Sequence, residues 1–331
     1  MDEKGDAARE FTVTLEHVGE SHVLNLALGL LIDRYNLLGE IATQILALMP
    51  DPSRWRLILT GDLSATVNAL DHRSQQFGYT TTRGAGYVGG LTLPQGDGTF
   101  LFILDASNLA FPPIESDSLE EVVEHALATA RHLGRHEAGH ALLMTRGENA
   151  EVYRELADLD PSAAGWSHIV ARDIDDFRIE RHVRQNILSP YSHVEGLPGA
   201  LDHLSSALAA ASRGWRADIA KHAEASDHAA SAFIRVIAYL SAEVGLDDAG
   251  APVVPRPVPE KWDRYLADHW AKWSAAFHRL SPADQPMTLD QLASTTGELC
   301  EIAVGWMSAI GYRRGITDAG ELYAYWTAGS Y

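Results

Sequence analysis

The stretch Arg135-His136-Glu137-Ala138-Gly139-His140-Ala141-Leu142 decides how the rest of the chain is read. It holds His-Glu-x-x-His within a run of helical periodicity. Spacing of i and i+4 puts both imidazoles on one helix face, about one turn apart, so both can reach a single ion. Glu137 lies beside the first histidine and cannot easily point at the same vertex. It is placed to take a proton from an activated water and pass it to a leaving amine. Two surface histidines on a charged helix would leave the glutamate between them without a task. The expectation is therefore a metal held by His136 and His140, with Glu137 as general base.

Working outward, Ser118 and Glu121 form a capping box that starts this helix, which runs to about Thr145 and stops at Arg146-Gly147. Upstream, Gly86 to Leu93 and Thr99 to Leu104 read as a hairpin around Pro94-Gln95-Gly96-Asp97-Gly98. Gly84, Gly86 and Gly89 spell GxGxxG, but not between a strand and a helix, so they are read as easing an edge strand rather than holding a nucleotide. Further back come a strand at Trp55–Thr60, a short helix from Leu63 to His72, and a long helix from His22 to Met49.

Downstream, a second long helix is expected from Ala163 to Asn186, then helices near 199–212, 214–244, 260–279 and 288–311, and a short one near 317–327. Asp247 to Pro259 is too rich in proline for a helix and reads as an extended linker. The resulting class is α+β, mainly α. The segments are a helical N-terminal part (1–54), a metal-binding core (55–196) and a helical C-terminal region (197–331) with the proline-rich linker near 247–259.

A zinc site that performs hydrolysis needs a third protein ligand and an open fourth position. The second helix offers candidates in Asp173-Ile174-Asp175-Asp176-Phe177-Arg178-Ile179-Glu180-Arg181-His182. On a helical wheel Asp173, Asp176 and Glu180 share the side of Trp166, Ile169, Phe177, Val183 and Ile187, while Asp175, Ile179 and His182 point away. Three carboxylates on an apolar face are costly unless a cation or a donor network neutralises them. Asp176 is the favoured ligand and Glu180 a supporting acceptor for a ligand imidazole, with Asp173 and Glu180 as rival ligands. The alternative is a structural network with Arg172, Arg178 or buried histidines. Tyr191 and His193, just past this helix, are candidates for stabilising an oxyanion.

With these residues in place, the chain resembles the zincin-type HExxH metallopeptidases over about residues 55–190: a small sheet with an edge strand, an HExxH helix, and a second helix with an acidic ligand. His136 to Leu142 also matches the HEAGHAL string of AAA-type membrane proteases, whose third ligand is an aspartate. The second helix is similar to the EDxRIE string of some bacterial metallopeptidase-like proteins, with Asp175 in place of the glutamate and Asp176, Arg178, Ile179 and Glu180 matching. The gluzincin order, a glutamate ligand with an aspartate four residues later, is not met. The resemblance implies a zincin-like core, a Zn2+ cofactor and hydrolysis of a peptide or amide bond.

Composition narrows the setting. The chain of 331 residues is 46% hydrophobic and 21% charged, which suits an ordinary globular protein with little disorder. A formal charge of −19 argues against nucleic-acid binding, which needs clustered Lys and Arg. Cys300 is the single cysteine, so an intramolecular disulfide and a thiolate cage are excluded; it reads as a small buried hydrophobe. Neither a secretory h-region nor a membrane-spanning run is present, and a cytoplasmic location is expected. His22, His228 and His278 read as surface or core residues, and Trp262, Trp270 and Trp273 as core. The leading expectation is an intracellular zinc metallopeptidase acting on a peptide or protein substrate. A metallopeptidase-like binding or dedicated maturation protein, and a His/carboxylate iron or manganese enzyme, are the alternatives.

Overall fold

Alternation and runs of β-branched and aromatic residues build a small mixed sheet, and helical periodicity builds nearly everything else. The computed structural model describes residues 11–71, 78–84, 86–111, 116, 118–213, 215–317 and 319–327. The chain divides into two compact units: Met1–Thr81 with Val88–Leu142 and Ile187–Pro190, and Thr82–Tyr87 with Leu143–Asn186 and Tyr191–Tyr331.

In the first unit the strands are β1 (Thr12–Glu16), β2 (Trp55–Thr60), β5 (Gly90–Pro94) and β6 (Phe100–Asp105); the short pair β3 (Thr82–Arg83) and β4 (Gly86–Tyr87) belongs to the second unit. The sheet order is β1-β2-β6-β5, with β1, β2 and β6 parallel and β5 antiparallel to β6. Ile58 and Ile103 pack with Leu63 and Val67, while Leu57, Leu59, Phe102 and Leu104 are buried at the alternate positions. A strand covered on both faces reads as a continuous apolar run, as Leu57-Ile58-Leu59 does within β2.

The expected hairpin is present, but the strand at Thr99 to Leu104 is internal, because β2 occupies its other side. The edge is β5. The strand β1 was not anticipated; it is short and mostly exposed. The expected helix from His22 to Met49 is two helices, His22–Tyr35 and Leu37–Leu48, because Asn36 adopts a left-handed conformation (φ 55°, ψ 35°) and ends the first.

In the second unit, helices Ser167–Asn186, His193–Ser212, Ile219–Val244, Ala267–His278 and Leu289–Ile310 surround one apolar core. Trp262, Trp270 and Trp273 lie in that core, as expected, together with Trp166 and Trp306. Cys300 is buried there too, and burial pushes its thiol up to about 12. The helix expected from Ala163 is interrupted, with Pro161–Ala164 as a separate turn. The next helix begins earlier than expected, at His193, where the Ser192 hydroxyl accepts from Glu195 N at 3.2 Å; Pro198 lies inside it.

One further expectation is corrected. The segment near 317–327 is no helix but part of a hairpin of β7 (Tyr312–Ile316) and β8 (Leu322–Trp326). Gly320 takes a positive φ of 80° at its turn, and Tyr323 and Tyr325 stack at 6.1 Å. The proline-rich segment is without helix, as expected, and it is tied down by its own contacts. Leu246 bridges Pro252, the Asp247 carboxylate accepts from Ala249 N and Ala251 N, and the Trp270 indole donates to Val253 O at 3.0 Å. Among the described residues, no helix is long and apolar enough to cross a membrane.

Candidate metal centre

The HExxH helix spans Leu119–Arg146. Ala126, Ala130, Leu133, Ala138 and Ala141 bury it. Gly134 permits a close helix approach, since a Cβ there would stand 3.1 Å from the carbonyl of Ile41. His132, His136 and His140 form one row, with ring centroids 6.0 Å and 5.1 Å apart. His132 and His136 are buried and His140 is half-buried. His132 escaped the sequence reading, although its position four residues before His136 continues the same i, i+4 row.

Glu137 is buried, and two features of the edge strand hold it. The Thr92 hydroxyl lies 2.7 Å from Glu137 Oε2 and 2.8 Å from the Glu137 carbonyl oxygen, with one proton to donate. At Gly90, two residues earlier on the same strand, a Cβ would come within 2.7 Å of Glu137 Oε1 and 2.9 Å of Leu104 Cδ2. A side chain at Gly90 would therefore displace the Glu137 carboxylate and Leu104, through close approach rather than backbone angle. A single face of β5 thus clears space for the carboxylate and orients it.

The second unit, taken by itself, carries a helix with several buried acids. The helix Ser167–Asn186 is buried nearly all round: Asp173, Asp176 and Glu180 are buried, and so are Asp175, Ile179 and His182. The set expected to point away is as buried as the set expected to face inward, so it too meets protein rather than solvent. Asp175 accepts from the Tyr153 hydroxyl and from Ala150 N, each at 2.8 Å. His182 Nδ1 lies 3.1 Å from Asp284.

On the other side, Arg235 of the Ile219–Val244 helix places its Nε 3.1 Å from Asp176 Oδ2 and 3.5 Å from Asp173 Oδ1. Arg172 reaches Asp173 at 3.9 Å, while Arg178 is engaged elsewhere, with Glu148 at 2.7 Å. Burial pushes Asp173 up to about 7, and Arg172 and Arg235 oppose that shift without cancelling it. Burial works against the Arg235 charge, yet Asp176 and Asp173 together hold it above its ordinary range. Tyr239 is raised well above its ordinary value by burial first and by Asp176 next.

One turn on, Arg184 lies 2.7 Å from Glu180 and 3.4 Å from Glu243. It also donates to the carbonyl of Tyr191 at 2.9 Å, and His193 stacks on Tyr239 with ring centroids 4.9 Å apart. Each of these two guanidiniums therefore serves two carboxylates. The histidines read as bystanders behave as such: His22 and His228 are exposed, and His278 packs edge-on to Phe177.

The chain thus carries His, Asp and Glu side chains that could hold a metal ion, among them His132, His136, His140, Asp176 and Glu180. Comparison with protein-family models, with curated proteins and with solved structures returns no match for this chain.

Proposed function

We propose that this chain is a metal-dependent hydrolase of the HExxH class, a zincin-type zinc peptidase or amidase. His136, His140 and Asp176 hold the metal and Glu137 is the general base. The observation that carries this reading is the grip on Glu137. A bystander glutamate on a helix has no reason to be buried, because burying a carboxylate is costly. Here one is buried, oriented by Thr92, and given room by a glycine in the next strand.

The acids of the second unit fit a cation. Asp173, Asp176, Glu180 and Glu243 lie beside Arg172, Arg184 and Arg235, four acids to three guanidiniums. Such an excess is costly to bury and favours a divalent ion. Two combinations of side chains could supply three donors, His136–His140–Asp176 and His132–His136–Glu180. HExxH chemistry favours the first, which uses both motif histidines and leaves Glu180 with Arg184 as a supporting acid. Asp173 and Glu180 stay as rival ligands.

A divalent cation bound there supplies a Lewis acid that polarises a carbonyl and lowers the pKa of water. Glu137 accepts a proton at its carboxylate and later delivers it to the leaving amine. Thr92 holds that carboxylate in one orientation during both transfers. An extended substrate pairs with β5, the sheet edge beside Glu137, rather than with Thr99 to Leu104. Tyr191 and His193 are the side chains proposed for the oxyanion.

The carboxylate-rich set also gives a second reading, an iron or manganese enzyme. Metal analysis of protein purified without added metal, joined to digestion of a broad peptide library, separates these. Zinc with cleavage of many sequences supports the proposal. Zinc without turnover favours a binding or dedicated maturation role, and iron or manganese favours the second reading. A chain that binds no metal under any loading condition overturns both metal readings.

A further inference from the structure

We propose that the second unit carries a binding site for a small aromatic monocarboxylate, in a cavity beside β7. The site is independent of the metal reading, since its residues all lie in that unit and none is a proposed metal ligand. The cavity measures about 180 Å³ and is walled by β7, the turn Pro161–Ala164 and the helix Leu289–Ile310, with Trp166 among its lining residues. Trp166, Met307 and Tyr312 are buried and close it from within, whereas Arg313 and Tyr323 are exposed. Two arginines line it and, among the described residues, no acid does, in a chain whose formal charge is −19.

The two arginines differ in what surrounds them. Arg314 is built into the wall. Its guanidinium donates to Asp227, which also accepts from the Tyr312 hydroxyl at 3.3 Å, and it lies 5.1 Å from the centre of the Trp166 ring. Gly165 leaves the space for it, because a Cβ there would collide with the guanidinium. Asp227 thus balances the charge of Arg314. Arg313 has no such counter-ion among the described residues. One uncompensated guanidinium calls for one negative charge, and its planar fork matches the two oxygens of a carboxylate. The rest of the lining is largely aromatic and aliphatic, with Tyr323, Tyr312, Val304 and Met307, which suits a flat apolar body. Pockets for drug-sized ligands measure roughly 300–1,000 Å³, so this smaller one suits a single ring or a fused pair.

Isothermal titration calorimetry on the full chain tests this. The protein is first stripped of metal and dialysed, so that the proposed metal centre cannot take up a carboxylate. The probes are benzoate and 2-naphthoate, with 2-naphthamide as the rings without the charge and inorganic phosphate as the charge without the rings. At least one of the two carboxylates is expected to bind at one site per chain, more tightly than either control. Arg313→Gln, at an exposed position, is expected to weaken it by about tenfold or more, the consequence of losing a hydrogen bond to a charged group. Tyr323→Ala is expected to weaken it as well, with the unfolding midpoint of each variant recorded alongside. Should Tyr323→Ala fail to fold, Arg313→Gln decides alone. A parent chain that binds neither carboxylate, or binds the amide equally well, overturns the proposal, as does tighter binding of phosphate. Parental affinity in Arg313→Gln places the binding elsewhere and overturns it too.

Discussion

Removing the hydroxyl of Thr92 tests the orientation of the base without touching the base. Thr92→Val keeps the branched shape and leaves Glu137 without its donor in a setting where Thr92 is 5% and Glu137 4% exposed. Water cannot readily replace the lost partner. A hydrogen bond to a charged group contributes about 1.5–3 kcal/mol, and a neutral one about 0.5–1.5 kcal/mol. In the parental protein Thr92→Val should therefore cost about 2 kcal/mol. In a Glu137→Gln background, where the acceptor is a neutral amide, it should cost about 1 kcal/mol. The coupling energy of this double-mutant cycle is then about 1 kcal/mol, readable by urea unfolding of the four metal-free proteins. On the peptides that the parent cleaves, Thr92→Val should lower kcat/KM by about 100-fold, the typical consequence of displacing a reacting group by about 1 Å. A coupling energy near zero would show that the hydroxyl serves the carbonyl of Glu137 rather than its carboxylate. The argument for a built base would then fail.

Three other outcomes are expected. Glu137→Gln should retain metal and lower hydrolysis by about 10²–10⁴-fold, since only the carboxylate is a base; a variant keeping most of its turnover, measured on the same peptides, removes Glu137 from that role. Metal removal by chelation should lower the melting temperature, because saturation at 100 times Kd adds about 2.7 kcal/mol to the native state; an unchanged melting curve after confirmed metal loss argues for a surface site or none. Asp176→Ala should abolish tight metal binding and Glu180→Ala should loosen it. Asp175→Ala should leave occupancy intact while costing about 1–3 kcal/mol, since Ala150 N loses its acceptor and Tyr153 OH keeps only the carbonyl of Ala171. Loss of metal only in the Asp175 variant would show that the helical phase is wrong.

What could be read from the chain alone was local. The HExxH helix, the hairpin before it and the tryptophan-rich core at Trp262, Trp270 and Trp273 all follow from periodicity and turn residues a few positions apart. The phase of the acidic helix was also legible, because i, i+3 and i+7 place Asp173, Asp176 and Glu180 on one side. That Asp175 and His182 are buried too was not, because burial of the opposite side depends on Tyr153 and on Asp284, far along the chain. The hairpin β7–β8 was mistaken for a helix because five residues of Leu-Tyr-Ala-Tyr-Trp carry little periodicity, and pairing with Tyr312–Ile316 decides the matter. Gly90 and Thr92 were invisible as neighbours of Glu137 for a related reason. Each acts through a partner at least 45 residues away in sequence, as the Thr92–Glu137 separation shows.

The partners chosen for the two carboxylates differ in a way that matches the tasks proposed for them. A guanidinium beside a carboxylate favours its charged form and makes it a poorer base. Asp176, proposed to stay ionised against a cation, has such a partner in Arg235. Glu137, proposed to gain and lose a proton in each turnover, is held instead by the neutral hydroxyl of Thr92. A hydroxyl can orient a carboxylate while perturbing its proton affinity less than a full positive charge would. Exchanging the two kinds of partner would damage both roles: a neutral donor at Asp176 would leave buried negative charge unbalanced, and a cation at Glu137 would hold off its proton. The same contrast explains why Gly90 matters on the base side alone. There orientation comes from shape and one hydrogen bond, so the space around Glu137 has to be right; at Asp176 the attraction between opposite charges tolerates a looser fit.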